Sequence, residues 1–235
     1  MKLLNQKLRF ANSGYYFIGL FGLVLLGFWP SYFAKFFNGT ADFTFYFHFH
    51  VIILCLWIFV LILQPVLIRK KKLTLHRLIG KLFYFLFPLI FISVILLTHS
   101  RNTIDQKNLD LRLFAPFKDL VILGIAYFIA IRYRHTVDIH ARGMIATGIV
   151  FIEPALVRLI RNVLIPMPAA YWCAVVILYL LLIGLIIRER NQKKGRWVFP
   201  LILGLYVIAH IITIWHIHIG AWQSFSKWFV SLPLT

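Results

Sequence analysis

The chain has 235 residues, 61% of them hydrophobic, and its 25 Lys and Arg against 7 Asp and Glu give a formal net charge of +18. A mean hydropathy of +0.85 is more than a water-soluble domain of this length needs, which excludes a soluble globular enzyme. Basic residues beside apolar segments commonly set membrane orientation and contact anionic lipid, so we expect membrane lipid and no nucleic acid as the partner.

Seven apolar segments approach or exceed the roughly 20 residues that a membrane-spanning helix requires. No linker, repeat or low-complexity stretch divides them, and a helix satisfies its own backbone groups in lipid. The sequence therefore predicts one all-α domain, residues 1–235, that forms a polytopic membrane helical bundle of about seven transmembrane helices. The predicted spans are Tyr15–Phe33, Phe43–Ile68, Leu78–Leu97, Leu113–Ile131, Met144–Ile160, Ala169–Ile187 and Val198–Gly220.

Lysine and arginine are distributed unevenly between the two sides of this bundle. The N-terminus and the second, fourth and sixth connecting regions hold 3, 6, 3 and 5 of the 25 basic residues, which is 17 in all. Cytoplasmic connections are enriched in Lys and Arg, so we expect a cytoplasmic N-terminus and an outer C-terminus.

The second predicted span carries one polar stripe. His50, Trp57 and Gln64 are spaced seven residues apart, and a helix returns nearly to the same face at that interval. His48 points roughly opposite, so His50 is the histidine that we expect to face the interior. On the last span, Tyr206 and His210 share a face, with His210 roughly 18 Å deep.

Several histidines are predicted to lie toward the outer face of the bundle. Neutral imidazole is a good ligand for zinc, copper or iron, and bundle cores hold such sites between facing helices. The sequence therefore predicts a metal site, and its candidate ligands are His50, His99, His210 and His218. The alternative for each histidine is an interfacial residue or an interhelical hydrogen-bond donor.

Two motifs on the predicted cytoplasmic side contain the inner histidines. RKKKLTLHRLIGK (residues 69–81) holds His76, and DIHARGM (residues 138–144) holds His140. If haem binds, these two histidines are the candidates for an inner cofactor-binding centre. The alternative is that both motifs are positively charged anchors at the lipid headgroups.

The fifth predicted span carries a carboxylate near mid-membrane. Glu153 precedes Pro154, and Arg158 and Arg161 follow. A carboxylate at this depth is expected to be neutral, paired with a cation or bound to metal, so Glu153 is the candidate catalytic residue. The alternative is a structural pair with Arg158 or with an arginine of another helix.

The middle of the chain, roughly residues 47–161, combines His50, Gln64, LHRLIGK at 75–81, HARGM at 140–144, and Arg158. This pattern resembles a family of predicted bacterial membrane proteins of unknown function, in which a His/Gln helix runs into an LHR-x-x-G turn. The resemblance implies a multi-pass protein of the bacterial cytoplasmic (inner) membrane and no specific activity. The chain departs from the pattern at Gly143, where a bulky or aromatic residue is more usual.

Three hypotheses follow for function. The first is a metal- or haem-binding membrane protein of redox type, with haem b, Fe, Cu or Zn as cofactor, by analogy with membrane b-type cytochromes. The second is a transporter or channel for a small molecule or protons, because intramembrane ionisable residues mark such paths. The third is a non-catalytic subunit or assembly factor of a membrane complex. Motifs of soluble nucleotide-binding and hydrolytic enzymes are absent, and whether the chain is an enzyme stays open.

Overall fold

A computed structural model describes residue 10, residues 12–215 and residues 219–235. These residues form helices joined by short connections, and no strand occurs among them. The helices are α1 Ser13–Phe28, continued by a π-helical turn Trp29–Phe33 and α2 Ala34–Phe37; α3 Phe45–Arg69; α4 Leu73–Gly80; α5 Leu82–Ser100; α6 Leu109–Arg132; α7 Val137–Ile149; α8 Ile152–Val163; α9 Ala169–Glu189; α10 Val198–Ile214; and α11 Gly220–Ser231.

Six helical stretches in the described residues are long and apolar enough to cross a membrane. They are Ser13–Phe37, Phe45–Arg69, Leu73–Ser100, Leu109–Arg132, Val137–Val163 and Ala169–Glu189. The prediction of an all-helical, multi-pass architecture is thereby supported. The seventh predicted span corresponds to α10, an apolar helix of 17 residues that is shorter than the other six, so a count of seven stays a prediction.

The centre of the bundle is aromatic. Trp57 of α3 is fully buried, and its ring packs edge-on against Phe83 at 4.7 Å between centroids and against Tyr127 at 5.7 Å. Phe87 stacks on Tyr127 at 4.1 Å, which ties α5 to α6. Rings pack into the irregular space between three helices and hold them in register.

Two glycines let helices approach closely. A Cβ atom at Gly143 of α7 would lie 2.8 Å from the Cα of Ala130 on α6. A Cβ atom at Gly27 of α1 would collide with the carbonyl oxygen of Ala155 on α8. Small residues at such crossings allow backbones to meet, which is how helices pack in lipid.

The fifth span is interrupted where Glu153 lies. Pro154 has no N–H to donate to the carbonyl of Val150, and α7 accordingly ends at Ile149 while α8 begins at Ile152. The interruption puts Glu153 in the first turn of a new helix, within the bundle interior, where it is 5% exposed.

Candidate functional site

A network of ionisable side chains crosses the interior between α6, α8, α9 and α10. The Lys118 ammonium donates to Glu153 Oε2 at 2.8 Å and to Asp119 Oδ1 at 2.9 Å. His210 Nε2 lies 3.2 Å from the same Glu153 oxygen, and His210 Nδ1 lies 2.8 Å from the Tyr179 hydroxyl. We call Lys118, Asp119, Glu153, Tyr179 and His210 the core network.

The core network lies far from both ends of the bundle. Lys118 follows Leu109, the first residue of α6, by roughly nine residues, which is about 14 Å along the helix. Tyr179 follows Ala169, the first residue of α9, by roughly ten residues, or about 15 Å. The hydrocarbon core of a bilayer is about 30 Å thick, so these groups lie near its middle.

The hydrogen bonds of the core network have a consistent assignment of donors and acceptors. Glu153 is an acceptor when ionised, so His210 donates to it from Nε2. Neutral imidazole then accepts at Nδ1, and the Tyr179 hydroxyl is its donor. The result is an ordered chain from the Tyr179 hydroxyl through His210 to Glu153, with Lys118 donating to the same carboxylate.

The charges of the core network are balanced by a neighbouring cation. Lys118 carries one positive charge, and ionised Asp119 and Glu153 carry two negative charges. Arg158 of α8 lies close enough to Asp119 to interact with it electrostatically, so two cations accompany two carboxylates. Binding or release of one proton therefore changes the net charge of a poorly screened cluster.

Aromatic rings surround Lys118 and His210 within the core network. Tyr206 is fully buried, its ring stacks on His210 at 5.7 Å between centroids, and the Lys118 ammonium lies 5.1 Å from its centre. Tyr171 meets the His210 ring edge-on at 6.0 Å. Lys118 and His210 are 6% and 1% exposed, so these charges interact in a poorly screened environment.

The predicted metal histidines have different partners in the structure. His50 Nδ1 lies 3.2 Å from the Ser93 hydroxyl, and His99 Nδ1 lies 2.6 Å from the Thr235 hydroxyl. His210 belongs to the core network, and His218 lies outside the described residues. Within those residues, no group of three or more His, Cys, Asp or Glu side chains could hold a metal ion. The metal-site prediction therefore receives no support from the described part of the chain.

The two inner histidines border one space. A cavity of about 1170 Å³ lies where α1, α5 and α7 begin and α3 and α6 end, and its lining includes His76 and His140. His140 Nδ1 lies 2.9 Å from the carbonyl oxygen of Ala130. Since a carbonyl only accepts, Nδ1 carries the proton and Nε2 holds the lone pair. We call this space the inner cavity.

A second buried ion pair closes the same end of the bundle. Arg142 of α7 is fully buried and donates through Nε to Glu189 of α9 at 2.9 Å. It also donates to the carbonyl oxygens of Asp138 and Lys194, at 2.7 and 3.1 Å. These bonds attach α9 and the connection that follows it to α7, so Arg142 has a structural role.

Sequence reasoning identified Glu153 and His210 but not their partner. Lys118 and Asp119 interrupt the apolar fourth predicted span, and no pairing was predicted for either of them. The alternative for Glu153 was a structural pair with an arginine, but Arg158 donates to the carbonyl oxygen of Pro154 and lies over the Phe28 ring. The signal that could have found the site is charge: a lysine inside one apolar segment predicts a carboxylate inside another.

No protein-family model, curated protein or solved structure matches the chain. The resemblance to a family with a His/Gln helix and an LHR-x-x-G turn therefore stays a prediction.

Proposed function

We propose that the chain conducts protons across the membrane, and that the core network is the proton-binding site. The observation that carries the proposal is the bond between His210 and Glu153 beside Lys118, within a bundle of six helices able to span a membrane. Intramembrane carboxylates and histidines are costly and commonly belong to proton paths.

The chemistry of the core network supports a cycle of proton uptake and release. A proton that reaches Glu153 removes one negative charge from the cluster, and its departure restores that charge. Lys118 limits the cost of the restored charge, since its ammonium is within hydrogen-bond distance of both carboxylates. Tyr179, bonded to the far side of the imidazole, can pass a proton as its hydroxyl rotates.

A flux assay tests this function. The purified chain is reconstituted into liposomes, a potassium gradient sets the membrane potential, and an internal pH dye reports proton entry. We expect wild-type protein to conduct protons above the background of empty liposomes, and Glu153→Gln to abolish that flux. Asp105→Asn, which removes a carboxylate from an exposed connection, is the matched control and should conduct like wild type. Wild-type flux equal to that of empty liposomes would refute the proposal.

Haem-dependent electron transfer is a second candidate, because His76 and His140 border the same cavity. The bond from His140 Nδ1 to a backbone carbonyl is the arrangement that usually supports a metal-ligating imidazole. An absorption spectrum of the protein purified from its membrane tests it. A haem Soret band that disappears in His140→Ala would favour this candidate, and a spectrum with no such band would reject it.

A further inference from the structure

The inner cavity combines an apolar interior with a basic rim. Its described lining includes Phe17, Leu61 and Phe83 on the apolar side, and it contains no Asp or Glu. The positively charged residues of the lining are Arg77, Lys81 and Arg134, accompanied by His76, His135 and His140. A space with this division suits a molecule that has an apolar body and a negatively charged head.

The three cations of the rim are not neutralised by acidic side chains in the described part of the chain. Arg77 donates to the carbonyl oxygen of Leu73, and Arg134 donates to the Tyr84 hydroxyl and to His135. All three cations are exposed and line the same cavity, so their charges add without a compensating carboxylate in its lining. The rim therefore attracts anions from the adjoining headgroup region and solution.

Gln64 supplies a second, independent observation. Its side chain lines the inner cavity and the residue is 8% exposed, yet neither amide atom has a hydrogen-bond partner among the described residues. A buried amide without partners costs free energy, and an apolar residue would fit the surrounding walls. A ligand that offers an oxygen acceptor to Nε2 and a hydroxyl donor to Oε1 would remove that cost.

We propose that the inner cavity binds an amphipathic anion with a phosphate or carboxylate head. The head binds at the rim formed by Arg77, Lys81 and Arg134, within reach of the Gln64 amide. The apolar body lies against Phe17, Leu61 and Phe83. Two sources supply this chemistry: an anionic membrane phospholipid, or a free amphiphile such as an alkyl phosphate.

Binding to the full chain in nanodiscs of phosphatidylcholine tests the site, with dodecyl phosphate as the probe and dodecyl maltoside as its uncharged match. We expect saturable binding of dodecyl phosphate and none of dodecyl maltoside. The variant R77Q/K81Q/R134Q should weaken binding at least about tenfold, since hydrogen bonds to charged groups contribute strongly. The control K70Q/K71Q/K72Q removes three positive charges beside the cavity but outside its lining, and should bind within about twofold of wild type.

The variant Gln64→Leu distinguishes specific binding in the inner cavity from non-specific attraction of the anionic probe to the basic surface. The variant removes the unpaired amide, so we expect its melting temperature without ligand to rise and its affinity for dodecyl phosphate to fall. Equal losses in the two triple variants, non-saturable binding by wild type, or wild-type affinity in Gln64→Leu would each overturn the proposal. Melting curves of all variants establish that each is folded before binding is compared.

Competition identifies the source of the ligand. Displacement of dodecyl phosphate by phosphatidylglycerol placed in the nanodisc supports a membrane lipid as the occupant, and persistence of dodecyl phosphate binding supports a free amphiphile. The proposal is independent of proton movement, because Glu153→Gln should bind dodecyl phosphate as wild type does. A chain that binds the probe without conducting protons would retain this inference and lose the proposed function.

Discussion

Lys118 shows how a single side chain can stabilise a membrane interior or disrupt it. Its ammonium bonds to Asp119 and Glu153 in a poorly hydrated environment, in which the Lys118, Asp119 and Glu153 side chains are 4%, 23% and 7% exposed. The pair formed by Lys35 and Asp42 has a similar length of 3.1 Å, but the Asp42 side chain is 80% exposed. There the hydrogen bond and charge of Lys35 lower the pKa of Asp42, while the effect on stability is small because solvent screens the pair.

Lys118→Met should destabilise the chain severely, because it leaves two carboxylates without the ammonium group that bonds to both of them. Removing one partner of a buried ion pair typically costs about 3–5 kcal/mol, so we expect a large drop in melting temperature in detergent. Lys35→Met is the matched control and should melt like wild type.

The double variant Lys118→Met with Glu153→Gln should recover part of this loss, because it no longer has two facing carboxylates. A Lys118→Met protein that melts with wild type would contradict the arrangement of the core network.

At the scale of helices, the absence of a side chain at Gly143 allows close packing between α6 and α7. Gly143 allows α7 to lie against the backbone of α6 at Ala130, and the adjoining His140 bonds to the carbonyl of that same residue. A larger side chain at position 143 does not fit here without separating α6 from α7.

Gly143→Val should separate the two helices and lower the melting temperature, since overpacking of a tight contact usually costs about 1–3 kcal/mol or more. Gly184→Val is the control, because a Cβ atom at Gly184 meets nothing within 4 Å. Equal melting temperatures of the two valine variants would contradict the close packing of α7 against α6 at Gly143.

Sequence patterns predicted the helices more completely than the site. Apolar length predicted the six long helices because the bilayer sets that length. The seven-residue spacing predicted one shared face for His50, Trp57 and Gln64, and of these Trp57 and Gln64 are buried while His50 is partly buried. Which helices are neighbours depends on packing that no local pattern encodes. The pairing of Glu153 with Lys118, 35 residues apart, was therefore missed.

At the scale of the whole molecule, the contacts of the segments before and after α10 show at which end of the bundle each segment lies. Trp197, just before α10, packs on Tyr133 at the end of α6, and Thr235 bonds to His99 at the end of α5. The segment after α10 thus lies at the end of the bundle opposite to the end at which α10 begins. We therefore expect α10 to cross the membrane. Together with the distribution of Lys and Arg, this predicts a cytoplasmic N-terminus and an outer C-terminus.

Cysteine labelling tests this orientation. In a background with Cys55→Ala and Cys173→Ala, single cysteines replace Asp105, Gln192 and Ser231 in turn. In intact cells an impermeant maleimide should label the cysteines at 105 and 231, but should label the one at 192 only after lysis. Labelling at 231 that requires lysis, with 105 accessible, would mean that α10 does not cross.

The most direct test of the central claim is potential-driven proton flux by the purified chain with three side chains at position 153. Glutamate should conduct, Glu153→Asp should keep measurable flux because a carboxyl group remains, and Glu153→Gln should fall to the background of empty liposomes. Equal flux in all three would contradict the account, because protons would then cross the membrane without the core network.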